Sequence, residues 1–203
     1  MRDQPTYCTS CGGRLQSESR IVEFVCAHCG TRTFQNPAPN ARVAVVERRA
    51  AAEARLLHVE IADSGRVDDP PYHDSEWMLP GGHPEYREQP REAAARELEE
   101  ETGLTVDPSA LVPIDTVSRW VVAEKRGLVA LYAVERARTA GELTGEDDAT
   151  DAQFWTPSDL TAAAERRFRE LYEEPDQYTT PTGMLAAATT AIDARRAVQD
   201  GGS

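Results

Sequence analysis

Residues 90–103 read as a short helix that carries three carboxylates on one side and follows a glycine turn. Pro90 suits the first helical position, where its missing N–H would be unpaired in any case. Ala93, Ala94, Ala95, Arg96, Glu97 and Leu98 are mostly good helix formers, and Gly103 suits a left-handed cap. At about 100° per residue, Glu97, Glu100 and Glu101 fall within roughly one third of the circumference. Ala94, Ala95 and Leu98 point about 120° away, toward a sheet.

Carboxylates so arranged repel. Two unit charges ~4 Å apart interact with about 4 kcal/mol at an effective dielectric near 20. A hard divalent cation reverses that sign, and Mg²⁺ or Mn²⁺ shared with substrate phosphates suits these ligands. Three glutamates by themselves would equally describe a solvated acidic face. Their neighbours separate the two readings.

The wider string is glycine, five residues, glutamate, seven residues, then Arg-Glu-apolar-x-Glu-Glu-x-Gly-apolar. Gly82, Glu88, Arg96, Glu97, Leu98, Glu100, Glu101, Gly103 and Leu104 fill its fixed positions. That string is the Nudix box, and the chain resembles the Nudix hydrolase family. The resemblance includes Trp77-Met78-Leu79-Pro80-Gly81-Gly82 and, more loosely, roughly residues 36–160. It implies an α/β (α+β) fold, a mixed β-sheet between helices. It further implies that Glu97, Glu100 and Glu101 ligate metal, helped by the Gly82 carbonyl, and that Glu88 and Arg96 form a structural ion pair joining loop to helix. Glu85 lies off the fixed positions and is a further candidate for the metals or for a base. The chemistry that follows is metal-assisted hydrolysis of a diphosphate linkage, in which bound ions offset phosphate charge and lower the pKa of water. The proton acceptor is left between Glu97 and an acid of the loop 145–151.

All four cysteines fall in the first thirty residues: Cys8-x2-Cys11 and Cys26-x2-Cys29, fourteen residues apart, each pair followed by a glycine, Gly12 or Gly30. Four thiolates suit one tetrahedral Zn²⁺, although the spacing is slightly short for the usual pattern. Met1–Tyr7 is short and polar and does not read as a signal peptide. A cytoplasmic chain is therefore expected, which favours metal over two disulfides. Segment 7–34 has little apolar surface, and zinc could contribute ~10–16 kcal/mol of apparent binding energy. The module resembles a zinc ribbon of the kind that precedes the catalytic domain in some Nudix proteins, NADH pyrophosphatases among them. The expected organisation is a ribbon over 1–35 and a Nudix domain over 36–203. The ribbon is left between bracing the domain, a homodimer contact and nucleic-acid binding. Residues 1–40 hold four arginines and three acids, weak support for a polyanion.

At 203 residues, one catalytic domain plus the ribbon fits the length, and no apolar run approaches transmembrane length. The net charge is −13, with 35 acids against 22 bases, of which only Lys125 is lysine. This suits a halophilic chain whose salt-rich solvent screens self-repulsion, or a GC-rich genome in which arginine displaces lysine. Acidity of this origin argues only weakly against anionic ligands.

Along the chain, Asn36–Asn40 reads as a linker, and 43–46 and 56–61 as the first strands, with His58 packed rather than ligating. The polar stretch 62–76 is a loop that either offers Tyr72 or His73 to substrate or is simply exposed and solvated. Strands are expected over 111–123, 128–134 and 153–155, with Lys125-Arg126-Gly127 as a hairpin turn. Trp120 and Tyr132 either stack a nucleobase or pack in the core. A helix begins near Pro157, capped by Ser158, and another covers about 182–198.

The implied substrate is a small nucleoside diphosphate derivative such as ADP-ribose or NADH. Motifs that the family uses to mark particular substrates are absent. Residues 111–116 replace the Ser-Gln-Pro-Trp-type motif of NADH pyrophosphatases. Ser118 stands where ADP-ribose hydrolases often have proline, and Trp120-Val121 where dinucleoside polyphosphate hydrolases often have tyrosine. The competing reading is a nucleotide-sensing regulator with a Nudix ligand domain and a ribbon that contacts nucleic acid or protein. An intact box favours the enzyme.

Overall fold

The computed structural model divides into two compact units, Met1–Ala38 and Pro39–Ser203. It describes residues 6–17, 23–34, 37–50, 52–61, 76–122, 125–144, 149–162 and 180–201. Tyr72, His73 and acids 146–148 lie outside the described residues.

In the first unit, β1 (Leu15–Ser17), β2 (Glu23–Cys26) and β3 (Arg32–Phe34) form an antiparallel sheet in the order β1-β2-β3. Its buried apolar side chains among the described residues are Cys8, Phe24 and Cys26. So small a core needs a cross-link to hold it.

The second unit is built on β4 (Ala38–Glu47), β5 (Arg55–Ile61), β6 (Glu76–Met78) and β7 (Gly81–Gly82), followed by helix α1 (Pro90–Thr102). Then come the paired strands β8 (Val112–Val122) and β9 (Lys125–Glu135), strand β10 (Ala149–Trp155) and helices α2 (Pro157–Ala162) and α3 (Pro181–Asp200). The sheet runs β10-β5-β4-β9-β8, with β6 on β5 and β7 on β4. It is a mixed sheet between helices, as the resemblance implies. Residues 40–46 of β4 are all buried, the mark of a central strand covered on both faces. The α3 side chains of Met184, Leu185, Ala188 and Ile192 form one buried stripe at helical spacing. His58 is packed in β5, where its Nδ1 donates to the Leu56 carbonyl. Burial pushes its pKa down to about 4.

Four local expectations are corrected. Residues 38–40 open β4 instead of linking two units; Pro39 is tolerated near the start of a strand. Lys125, Arg126 and Gly127 are not a turn, because they pair with Val122, Trp120 and Arg119. The last strand begins at Ala149, so Asp151 belongs to β10, with its carboxylate held by the Ala152 amide and the Gln153 side chain. Thr156, not Ser158, caps α2: its hydroxyl accepts from the Asp159 amide, and the Thr156 amide donates to the Asp159 carboxylate. Ser158 donates instead to Glu53.

Candidate active site and cysteine cluster

Strand β7 is the glycine turn of the sequence, and pairing fixes its place. Ala41 and Arg42 of β4 lie opposite Gly82 and Gly81, the Val43 amide donates to the Pro80 carbonyl, and Arg42 reaches the Leu79 carbonyl. The turn is thus tied to the central strand on both sides. Helix α1 is seated against it. The Gln89 amide donates to Glu92 at the helix start, and Gly103 closes the end with φ 69°. Ala93, Ala94, Ala95 and Leu98 are buried in the core.

This seating leaves Glu97 directly over the glycine turn. A Cβ placed on Gly82 would lie 2.4–2.6 Å from the Glu97 carboxylate atoms, so only glycine allows the approach. Glu101 is 4% exposed, and the Gly81 amide donates to its Oε2 at 2.8 Å. Glu100 stays exposed. Glu88 and Arg96 meet through two bonds of 3.0 Å, joining the loop to the helix. The Arg96 guanidinium holds the Glu88 carboxyl below the usual carboxylate range.

Arg96 does more than its spacing suggested. Its Nη1 also contacts Glu97 at 3.0 Å and Glu100 at 2.7 Å, and its Nη2 donates to the His83 carbonyl. The i,i+4 relation to Glu100 is the sequence signal that could have revealed this. The consequence is that the three carboxylates are not gathered. Glu97 and Glu100 converge on one guanidinium nitrogen, while Glu101 is turned to Gly81. Among the described residues, the cysteines alone form a set of three or more candidate ligands whose atoms lie within 4.8 Å of one another. Like charges on α1 are offset by one shared cation for Glu97 and Glu100 and by a backbone amide for Glu101.

Glu85 is exposed, and its amide donates to Glu88. Tyr132 is half-buried, with the Arg91 guanidinium 5.8 Å from its ring centre. Trp120 is placed in β8 by its backbone.

The cysteine cluster has a different character. Each Cys-x2-Cys pair bends as a knuckle in which the glycine amide bonds back to the first cysteine carbonyl: Gly12 to Cys8 at 2.8 Å and Gly30 to Cys26 at 2.9 Å. Both glycines have φ 71°, a left-handed conformation that a side chain would oppose. Sγ separations across the knuckles are 3.7 Å (Cys8–Cys29), 3.6 Å (Cys11–Cys26) and 3.3 Å (Cys11–Cys29). These exceed an S–S bond of about 2.05 Å, and all four cysteines are free. They approach the ~3.8 Å edge of a tetrahedron with metal–sulfur distances near 2.3 Å. The Thr31 hydroxyl and amide bring the Cys29 thiol down to about 6.

Comparison with known proteins identifies the family of the second unit. The family model of the NUDIX domain matches residues 38–182. The chain therefore belongs to the NUDIX family. A MutT-like protein of Streptomyces ambofaciens is 31% identical over 121 residues, which cover 59% of this chain and 64% of the relative. A MutT4 mutator-type protein of Mycobacterium tuberculosis is 33% identical over 104 residues, covering 48% and 41%. The chain thus spans less than two thirds of the length of either relative. In fold, it is similar to the NUDIX domain of Shewanella oneidensis NrtR, solved with ADP ribose, at a TM-score of 0.55 and 14% identity over 77% of this chain and 89% of that one. Among the described residues, no helix is long and apolar enough to cross a membrane.

Proposed function

We propose that the chain hydrolyses the diphosphate linkage of a nucleoside diphosphate joined to a second group, using Mg²⁺ or Mn²⁺ held by Glu97, Glu100, Glu101 and the Gly82 carbonyl. The observation that carries this reading is the contact between Glu97 and Gly82. The Glu97 carboxylate lies over the Gly82 backbone, where a Cβ would stand 2.4–2.6 Å from it, and a second carboxylate, Glu101, is pinned by the Gly81 amide. The donors are all oxygens, which suits hard divalent cations. When bound, such ions offset phosphate charge and lower the pKa of water.

The chain's own groups do the rest. Arg96 holds Glu97 and Glu100 on one side of α1, and the Glu88–Arg96 pair fixes the loop against the helix. The proton acceptor is Glu97 or an acid of the loop 145–151, of which Asp151 already accepts two hydrogen bonds within its own strand. ADP-ribose, bound by the NUDIX domain of the Shewanella protein, is the first substrate to try, followed by NADH. The four cysteines take one structural Zn²⁺, and residues 1–35 and 36–203 act as ribbon and catalytic domain.

The test is turnover of ADP-ribose, NADH, NAD⁺, diadenosine polyphosphates, nucleotide sugars and nucleoside triphosphates with Mg²⁺ or Mn²⁺, with Glu101→Gln as blank. Metal-dependent release of a nucleoside monophosphate from one of the diphosphate-linked compounds supports the proposal. Turnover of triphosphates alone would reassign the substrate class, and no turnover of any compound would contradict the enzyme.

A further inference from the structure

A cavity of about 560 Å³ opens at the other end of β4 from the glycine turn. Ala41 and Arg42 mark the turn, whereas Val46, Glu47 and Arg48 line the cavity. At ~3.3 Å per residue the two places are roughly 15–20 Å apart along the strand. Arg136 and Arg196 complete the basic part of its wall. A smaller cavity of about 100 Å³ shares Glu135 and Arg196 with it and adds Arg138 and Arg195.

Five arginines around adjoining cavities are out of keeping with a chain of net charge −13. The local acids do not cancel them. Glu135 is buried and is shared by Arg48 and Arg196. Asp193 takes a second bond from Arg48. Glu47 is already paired with Arg49 and Arg55. Arg136 donates to Thr139 and to the Gly141 carbonyl. Arg195 donates to the carbonyls of Ser109, Ala110 and Leu111. Bonds to neutral oxygens orient a guanidinium without neutralising it. Arg138 is exposed and has no carboxylate partner among the described residues.

We propose that this arginine-lined cavity is a second anion site, separate from the carboxylate helix, that takes a small phosphorylated ligand bearing at least two negative charges. The volume falls within the ~300–1,000 Å³ range of small-molecule sites and suits a small ligand. Guanidinium forks match phosphate oxygens in pairs, and several oriented in advance lose little freedom on binding. The site needs no divalent metal, because its charge is supplied by the chain. It stands independently of the hydrolase reading.

The experiment is calorimetric titration of the full-length, zinc-loaded protein with inorganic tripolyphosphate, without added Mg²⁺ or Mn²⁺, at low ionic strength. Three proteins are compared: wild type, Arg138→Glu, and the doubly substituted box variant Glu100→Gln/Glu101→Gln. Arg138 is exposed and unpaired, so its reversal leaves the fold intact; Arg136→Gln serves as a second variant, with thermal melts as control. The expected result is saturable binding by wild type, unchanged within twofold in the box variant, at least tenfold weaker in Arg136→Gln, whose site lines the larger cavity, and at least threefold weaker in Arg138→Glu, whose site lines the adjoining one. Binding that is unchanged in both arginine variants, binding lost in the box variant, or no saturable binding by wild type would each overturn the proposal.

Discussion

The molecule holds two groups of four candidate ligands, and they are organised on opposite principles. In the cysteine cluster the backbone does the gathering. Two knuckles with matching glycine bonds bring four sulfurs within 4.8 Å of one another. On α1 the backbone brings three carboxylates to one side of a helix, but their charges keep them apart, and Arg96 and the Gly81 amide each hold their share. The sulfurs are collected by turn geometry, with Thr31 favouring the charged form of Cys29. The carboxylates are held by a cation, and the guanidinium of Arg96 takes part of that role within the chain.

The sharpest way to break the comparison is to remove one ligand from the knuckles. Cys26→Ser should lose bound zinc and the structure of the first unit, since zinc in such modules supplies ~10–16 kcal/mol of apparent folding energy. Metal content and circular dichroism check this. Normal zinc in the variant would refute a four-cysteine site.

The next effect is on pH. His58 is neutral when folded because burial depresses its pKa to about 4. The unfolded chain takes up that proton below about 6.5. Stability should therefore be complete above pH 6.5 and decline as the pH falls from 6.5 to 4, by about 3 kcal/mol for this residue. His58→Gln should flatten that part of the profile in urea melts. Glu88, held low by Arg96, should act in the same sense at lower pH. An unchanged profile in the His58 variant would remove the burial argument.

Gly82→Ala probes the anionic group directly. A methyl there would meet Glu97 at 2.4 Å, so the carboxylate must move. Affinity for Mn²⁺ should fall by about tenfold, roughly 1.4 kcal/mol, with the core undisturbed. Isothermal titration reads the loss, and undiminished affinity would separate Glu97 from the metal site. The smallest effect is expected from Glu88→Gln. It removes a partly exposed ion pair and should cost about 1 kcal/mol in thermal unfolding. A loss of several kcal/mol would mean that the loop is braced far more heavily than its exposure implies.

What was legible in the sequence was what depends on neighbours a few residues away. The knuckles, the Pro90 and Gly103 boundaries of α1 and the burial of His58 are short-range or periodic signals, and the Glu88–Arg96 partnership follows from the family resemblance. The errors share another cause. Lys125-Arg126-Gly127 carries turn-forming residues but is claimed by pairing with β8. Asn36–Asn40 looks like a linker, yet β7 pairs just beyond it and draws the strand back to Ala38. The arginine-lined cavity assembles residues near 47, 137 and 196, so no local pattern announces it. Arg96 was read as a structural partner of one glutamate, whereas folding makes it the common partner of three.

The central claim is that the carboxylates of α1, seated on the glycine turn, support metal-dependent hydrolysis. Its most direct test is ADP-ribose turnover by wild type and Glu101→Gln across a Mn²⁺ titration. The substitution keeps an oxygen for the Gly81 amide and removes the charge, so the fold should be preserved. The account predicts turnover that requires the metal and falls at least a hundredfold in the variant, about 2.7 kcal/mol of transition-state stabilisation, with an unchanged melting temperature. Equal turnover by the two proteins would contradict it.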